Sequence, residues 1–178
     1  MPPMWSLPEY IERKKLLVDA YREQLAGPAA PTPLRASVSV AAGSGVRPAR
    51  VRDNAVITDS GAALGGYGLG PSAPELLLSA LASCLAHSAL VIAADMGLSL
   101  DQLEVEVSGE LDYRGTLGVS DEATVQPTNL AYTLRYAGEA SDAAISALQA
   151  DLERLCPVLL ALTRPLTVAG SAERLLAR

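Results

Sequence analysis

The sequence has no phenylalanine, one histidine, one tryptophan and two cysteines in 178 residues. Without Phe, and with alanine abundant, the core has to be packed mostly from Leu, Val and Ala. Clustered positive charge is also missing. The formal charge is −6, and the basic residues are scattered apart from the short run Arg47, Arg50 and Arg52. That argues against a nucleic-acid partner, because neutralising phosphates takes a clustered basic surface. No export signal is read at the N-terminus, where Trp5 and Pro8 interrupt the chain and no apolar segment precedes a small-residue cleavage site. Two cysteines without such a signal predict a reducing, cytoplasmic setting, where a Cys pair is more often catalytic, metal-binding or buried than a structural staple. No internal repeat is present.

One further absence invites a membrane reading. Leu76 to Ala94 holds no Asp, Glu, Lys or Arg over 19 residues, nearly enough to cross a bilayer. Against that stand three serines, Cys84, His87 and six alanines, and no positive cluster flanks the run. The expectation is a buried central helix of a globular chain, with no membrane partner.

What is present has globular composition, 49% apolar with 26 Pro and Gly residues. A first helix is predicted from about Pro8 to Leu25, with Ser6 and Glu9 at capping-box spacing and Gly27-Pro28 as its stop. Its apolar stripe is read as Ile11, Leu17, Val18, Tyr21 and Leu25, with Glu12, Arg13, Lys14 and Lys15 solvated. Residues 27 to 33 form a stiff linker. A hairpin follows: Arg35 to Ala42, a turn at Gly43-Ser44-Gly45, and a return over Val46 to Thr58. Ser60 to Pro71 is a Gly-rich loop. The central helix runs from about Ala73 to Met96, capped by Ser72 with Glu75 and stopped by Gly97-Leu98.

Leu103 to Tyr113 alternates as a strand with one wet face, and a second strand lies near Asn129 to Ala137. A loop through Arg114 to Gln126 joins them. Ser141 caps a helix over Asp142 to Leu155, and Cys156-Pro157 opens a short turn through Leu162. Thr163 to Ala169 is expected as a last strand, followed by a stub or frayed tail from Ser171. The fold class is therefore α+β, with an antiparallel sheet and two main helices.

Each candidate for chemistry has a plain structural competitor. Cys84, in mid-helix, is either a nucleophile or a small buried hydrophobe. Cys156 precedes Pro157, which suits the first position of a new helical turn, so it is either a thiol placed where backbone N–H groups favour a thiolate or a small filler at a helix–helix junction. His87, three residues after Cys84, either biases that thiol or is a satisfied core histidine. A zinc site from Cys84, His87 and Cys156 lacks a fourth ligand and paired-Cys spacing, so no metal is expected. Glu75 is accounted for as a cap. The glycines of residues 65–70 fall at the wrong intervals for a dinucleotide or phosphate loop, and G-x-S-x-G is absent.

Taken together, two stretches carry a resemblance: LGGYGLGPSAPELLLSALASCLAHSALVIAADMGLSLDQLEVEVSGELDYRG, Leu64 to Gly115, and LERLCPVLLALTRPLTV, Leu152 to Val168. A Gly-Pro-Ser loop, a Leu/Ala helix with a mid-helix Cys, a Gly-Leu stop, an acidic alternating strand and a Cys-Pro-Val turn, in that order, resemble the OsmC/Ohr family. The resemblance covers roughly residues 35 to 170. It implies a single OsmC-like domain over 28–178 with an N-terminal helical extension over 1–27. It also implies an intertwined homodimer with its sites at the subunit interface. The implied activity is reduction of organic hydroperoxides, with Cys84 attacking and Cys156 resolving, and an external dithiol or lipoyl group as reductant in place of a bound cofactor. An Arg from the hairpin and a Glu in the first turn of the central helix complete the family site. Here Pro74 stands at the expected Glu position, with Glu75 one residue later. Of Arg35, Arg47, Arg50 and Arg52, Arg47 is the chosen candidate. The alternative implied reading is a homodimer that binds a small apolar ligand without peroxide turnover.

Overall fold

The computed structural model describes residues 5–27 and 30–174. Helix α1 spans Leu7–Leu25 and begins in the expected box: the Ser6 amide and hydroxyl both donate to the Glu9 carboxylate, at 2.8 and 2.7 Å. The hairpin differs from the sequence reading. β1 is only Ser37–Val38, and the return divides into β2, Arg47–Val51, and β3, Asn54–Thr58. A two-residue turn at Arg52-Asp53 folds them back so that Val51 pairs with Asn54 and Arg47 with Thr58. Arg52 takes φ +55°, a conformation that usually marks Gly or Asn, so the turn carried no recognisable sequence signal.

The segment after β3 contains a single 3₁₀ turn, Ala62–Leu64. Helix α2 then spans Ala73–Met96. Its start is fixed by Ser72, whose amide and hydroxyl both donate to Glu75 at 2.7 Å. Its end is a Schellman motif: Leu98 N–H bonds Ala93 C=O at 2.9 Å, Gly97 N–H bonds Ala94 C=O at 3.3 Å, and Gly97 sits at φ +65°. β4, Leu100–Glu110, and β5, Thr128–Gly138, pair antiparallel. The strand expected to run to Tyr113 stops earlier, because Asp112 caps a one-turn helix α3, Tyr113–Thr116, by accepting from the Arg114 amide. α4 spans Asp142–Leu155 and α5 spans Pro157–Thr163. The last expected strand does not form. Residues 165–174 have no regular structure and find no sheet edge to pair with, and the end of the tail lies outside the described residues.

Two small antiparallel sheets result, β1-β2-β3 and β4-β5, in place of one. The core is centred on one face of α2. Leu81, Leu85, Ala89 and Ile92 recur at helical spacing and pack with Leu100, with Leu148 and Leu152 of α4, and with Ile11 of α1. Burying a Leu of this kind contributes about 1.5–3 kcal/mol. The long apolar helix is thus partly internal, with a mean hydropathy of 2.1 but only 28% of its most apolar stretch covered. Its length and composition also pass for a membrane span.

α1 corrects the expected stripe. The residues turned toward α2 are Leu7, Ile11, Lys14 and Val18, whereas Leu17 and Tyr21 stay exposed. Lys14, assigned to the solvated face from sequence, is buried. A bidentate pair from Arg22 to Asp95, 2.7 and 2.6 Å, ties the C-terminal ends of α1 and α2 together.

Candidate functional site

Cys84 lies midway along α2, and Cys156 lies at the junction where α4 ends and α5 begins. Leu152 and Leu148 hold α4 against α2, which carries the junction onto the Cys84 face of that helix. The two thiols meet there, although 72 residues separate them in sequence. Neither is in a disulfide; Cys156 is fully buried and Cys84 partly so.

The local chemistry divides the pair differently from the sequence reading. Pro157 at the first position of α5 has no N–H to offer, so Val158 presents the first amide of that helix. This amide faces the Cys84 sulfur and favours its thiolate, as does the hydroxyl of Ser88. The helix terminus assigned to Cys156 from sequence therefore acts on Cys84. Burial nevertheless dominates and pushes the Cys84 thiol up, with the neighbouring Cys156 adding to the rise. Val158 was missed from sequence; the Cys-Pro step was the signal that pointed to the amide behind the proline.

The other candidates stand elsewhere. Arg47, at the start of β2, donates to Gly45 C=O at 3.0 Å and to the Ser60 hydroxyl at 3.1 Å. Glu75 is occupied with Ser72 at the α2 N-terminus, and those bonds hold its carboxyl below the usual range. It precedes Cys84 by nine residues, about 13.5 Å along the helix. Neither Arg47 nor Glu75 is among the groups acting on Cys84. Arg50 and Arg52 are exposed on the hairpin, and Arg35 is exposed ahead of it. His87 is exposed beside α1 rather than satisfied in the core, and burial followed by the Lys14 charge pushes its pKa down.

Glu75 and Ser60 line a cavity of about 450 Å³ between the 59–72 loop, the first turns of α2 and the end of β4. Asp59 organises its wall. This carboxylate is 1% exposed and accepts from the amides of Ser60, Tyr67 and Leu69 at 2.8, 2.9 and 3.1 Å. The Ser60 and Leu69 amides, in that order, hold its carboxyl below the ordinary range, with Tyr67 and Arg47 adding to the effect. The loop closes so tightly that a Cβ at Gly66 would stand 1.9 Å from Ser60 O, and one at Gly70 would stand 2.1 Å from Ile57 O. Sequence showed the glycines but not the aspartate that gathers them. No His, Cys, Asp or Glu group suited to a metal ion occurs among the described residues.

Fold and site together define an α+β domain whose apolar central helix carries one thiol of a pair and whose second thiol belongs to the residue at the start of a short helix packed against it. The family model for OsmC-like proteins matches residues 66–169, and the chain belongs to that family. No curated protein matches the chain. Among solved structures it resembles an OsmC-like protein from Mycoplasma pneumoniae, at 14% identity and TM-score 0.65, covering 75% of this chain and 89% of that one. It also resembles an organic hydroperoxide resistance protein from Legionella pneumophila, at 17% identity and TM-score 0.58, covering 75% and 91%. A third is an organic hydroperoxide resistance protein from Vibrio cholerae with captopril bound in one of its active sites. It matches at 18% identity and TM-score 0.51, covering 76% and 88%. At these identities the likeness is one of fold.

Proposed function

We propose that this chain is a thiol-dependent peroxidase acting on organic hydroperoxides, in a homodimer. The observation that supports it is the meeting of Cys84 and Cys156 across 72 residues of sequence. In this reading the Cys84 thiolate attacks the distal peroxide oxygen. The O–O bond breaks, the alkoxide leaves and takes a proton, and Cys84 becomes a sulfenic acid. The Cys156 thiol displaces water from it, forming the disulfide. An external dithiol, lipoyl-bearing or otherwise, then exchanges with the disulfide and leaves as its own cyclic disulfide, restoring both thiols. Apolar Leu, Val and Ala around the pair favour an organic peroxide over hydrogen peroxide. No bound cofactor or metal takes part.

The test is a thiol count before and after one equivalent of cumene hydroperoxide, followed by turnover with a dithiol. Two thiols per chain should vanish and return. Cys84→Ser should abolish turnover, and Cys156→Ser should allow at most one. Equal activity in Cys84→Ser and wild type would sink the reading.

A second reading, binding of a small apolar ligand without turnover, is favoured by two observations. Burial raises the Cys84 thiol, and Glu75 lines a cavity apart from it, one whose Ser60 is bonded by Arg47. The pH dependence of alkylation separates the two. An activated Cys84 reacts with iodoacetamide at a nearly constant rate from about pH 7 to 9, whereas an unactivated thiol gains close to tenfold per pH unit below its pKa.

A further inference from the structure

Lys14 is a charged residue in the middle of the face that α1 turns to α2, whose other cation, Arg22, is paired with Asp95. Its helical neighbours at three and four positions are Tyr10, Ile11, Leu17 and Val18, all apolar or aromatic. The residue is 9% exposed, yet among the described residues no carboxylate lies within 4 Å of its ammonium. The nearby acids are engaged elsewhere: Asp19 with Lys15 and Arg22, Asp95 with Arg22, Glu9 with Ser6. The contact that Lys14 does make is with the Tyr10 ring, 5.5 Å from ammonium to centroid. The stem of Lys14 is buried while its ammonium still reaches solvent at the groove, and the ring adds a cation–π attraction there.

Lys14 lines a groove of about 330 Å³ between α1 and α2. Leu17, Val18 and Val91 form its apolar walls, and Tyr21 and His87 lie along it. Arg13 stands at one side with its guanidinium 4.2 Å from the centre of the Trp5 ring. No Asp or Glu lines this groove. It therefore combines apolar walls with an unneutralised cation and no competing anion. α1 lies outside the matched residues 66–169, whereas His87 and Val91 on the α2 wall lie inside them.

We propose that the α1–α2 groove binds an amphipathic monocarboxylate, with the carboxylate on Lys14 and the chain along Leu17, Val18 and Val91. The occupant supplies the counter-charge that the chain leaves out, and its apolar part covers Leu17 and Tyr21, which are 58% and 55% exposed. This site is independent of the thiol pair and of the peroxidase reading.

The experiment is calorimetric titration of the full chain with octanoate and, separately, with octan-1-ol, which has the same chain without the charge. Octanoate should saturate at one per chain and bind at least tenfold more tightly than octanol. Lys14→Met should weaken octanoate at least tenfold and leave octanol unchanged, while Lys14→Arg should retain most of the octanoate affinity. Cys84→Ser should bind as wild type does. The proposal is overturned if wild type does not bind octanoate saturably, if octanol binds equally well, or if Lys14→Met binds octanoate undiminished. Loss of binding in Cys84→Ser would overturn it too, by placing the ligand at the thiols. The comparison of the two probes on wild type stands even if Lys14→Met fails to fold.

Discussion

Asp59 has no place in the thiol chemistry, yet it gathers three amides from a loop rich in glycine. Because its carboxyl is held below the ordinary range, the folded chain binds a proton there less readily than the unfolded chain. Its contribution is therefore complete above the unfolded value of about 3.9 and drains away as pH falls through the lower folded value. Asp59→Asn retains one acceptor oxygen in place of two and sets an amide N–H₂ against donors. The variant should unfold at lower urea than wild type at neutral pH, and the gap should narrow as pH falls from about 5 to 3. A gap independent of pH would mean that the charge contributes nothing and that only shape matters.

Among the elements, the central helix and its partners bear most of the packing. Leu85 is fully buried between α2 and the elements around it. Leu85→Ala should cost about 2–5 kcal/mol in urea unfolding, with the denaturant slope unchanged. The boundaries of α2 and α4 were legible in the sequence because each carries its own local signals. Ser72 with Glu75, Gly97 and Ser141 need no tertiary context to act as stops and starts. The hairpin was less legible, since its inner turn rests on Arg52 in a left-handed conformation that no residue type announced. Lys14 and Leu17 exchanged roles for a different reason. The stripe that packs is chosen by where α2 lies, and α1 alone offers two nearly equivalent faces. The cysteine pair was readable as two motifs, but the partner of each sulfur depends on how α4 lies on α2. Arg47 and Glu75 came from likeness to a family, and in the single chain Glu75 lines a different cavity while Arg47 bonds Ser60 in its wall.

At the scale of the whole molecule, the chain exposes 13388 Å² of surface. A compact monomer of 18.5 kDa would expose about 8,200 Å². Large apolar side chains are among the exposed ones, including Val40 at 70%, Leu166 at 68% and Val168 at 89%, together with the uncovered part of α2. These surfaces suit pairing with a second copy. Light scattering coupled to gel filtration should give a mass of about 37 kDa, twice that of the chain. A well-folded species at 18.5 kDa would count against the homodimer.

The meeting of Cys84 and Cys156 bears also on heat resistance. A bond between them would tether the middle of α2 to the end of α4 and close a loop of some 70 residues. Loop-closure entropy alone places the gain at about 4 kcal/mol, on the order of 10 °C in melting temperature for a chain of this size. Such a chain would carry its redox history as a difference in melting point, toughest just after oxidation and softest when fully reduced.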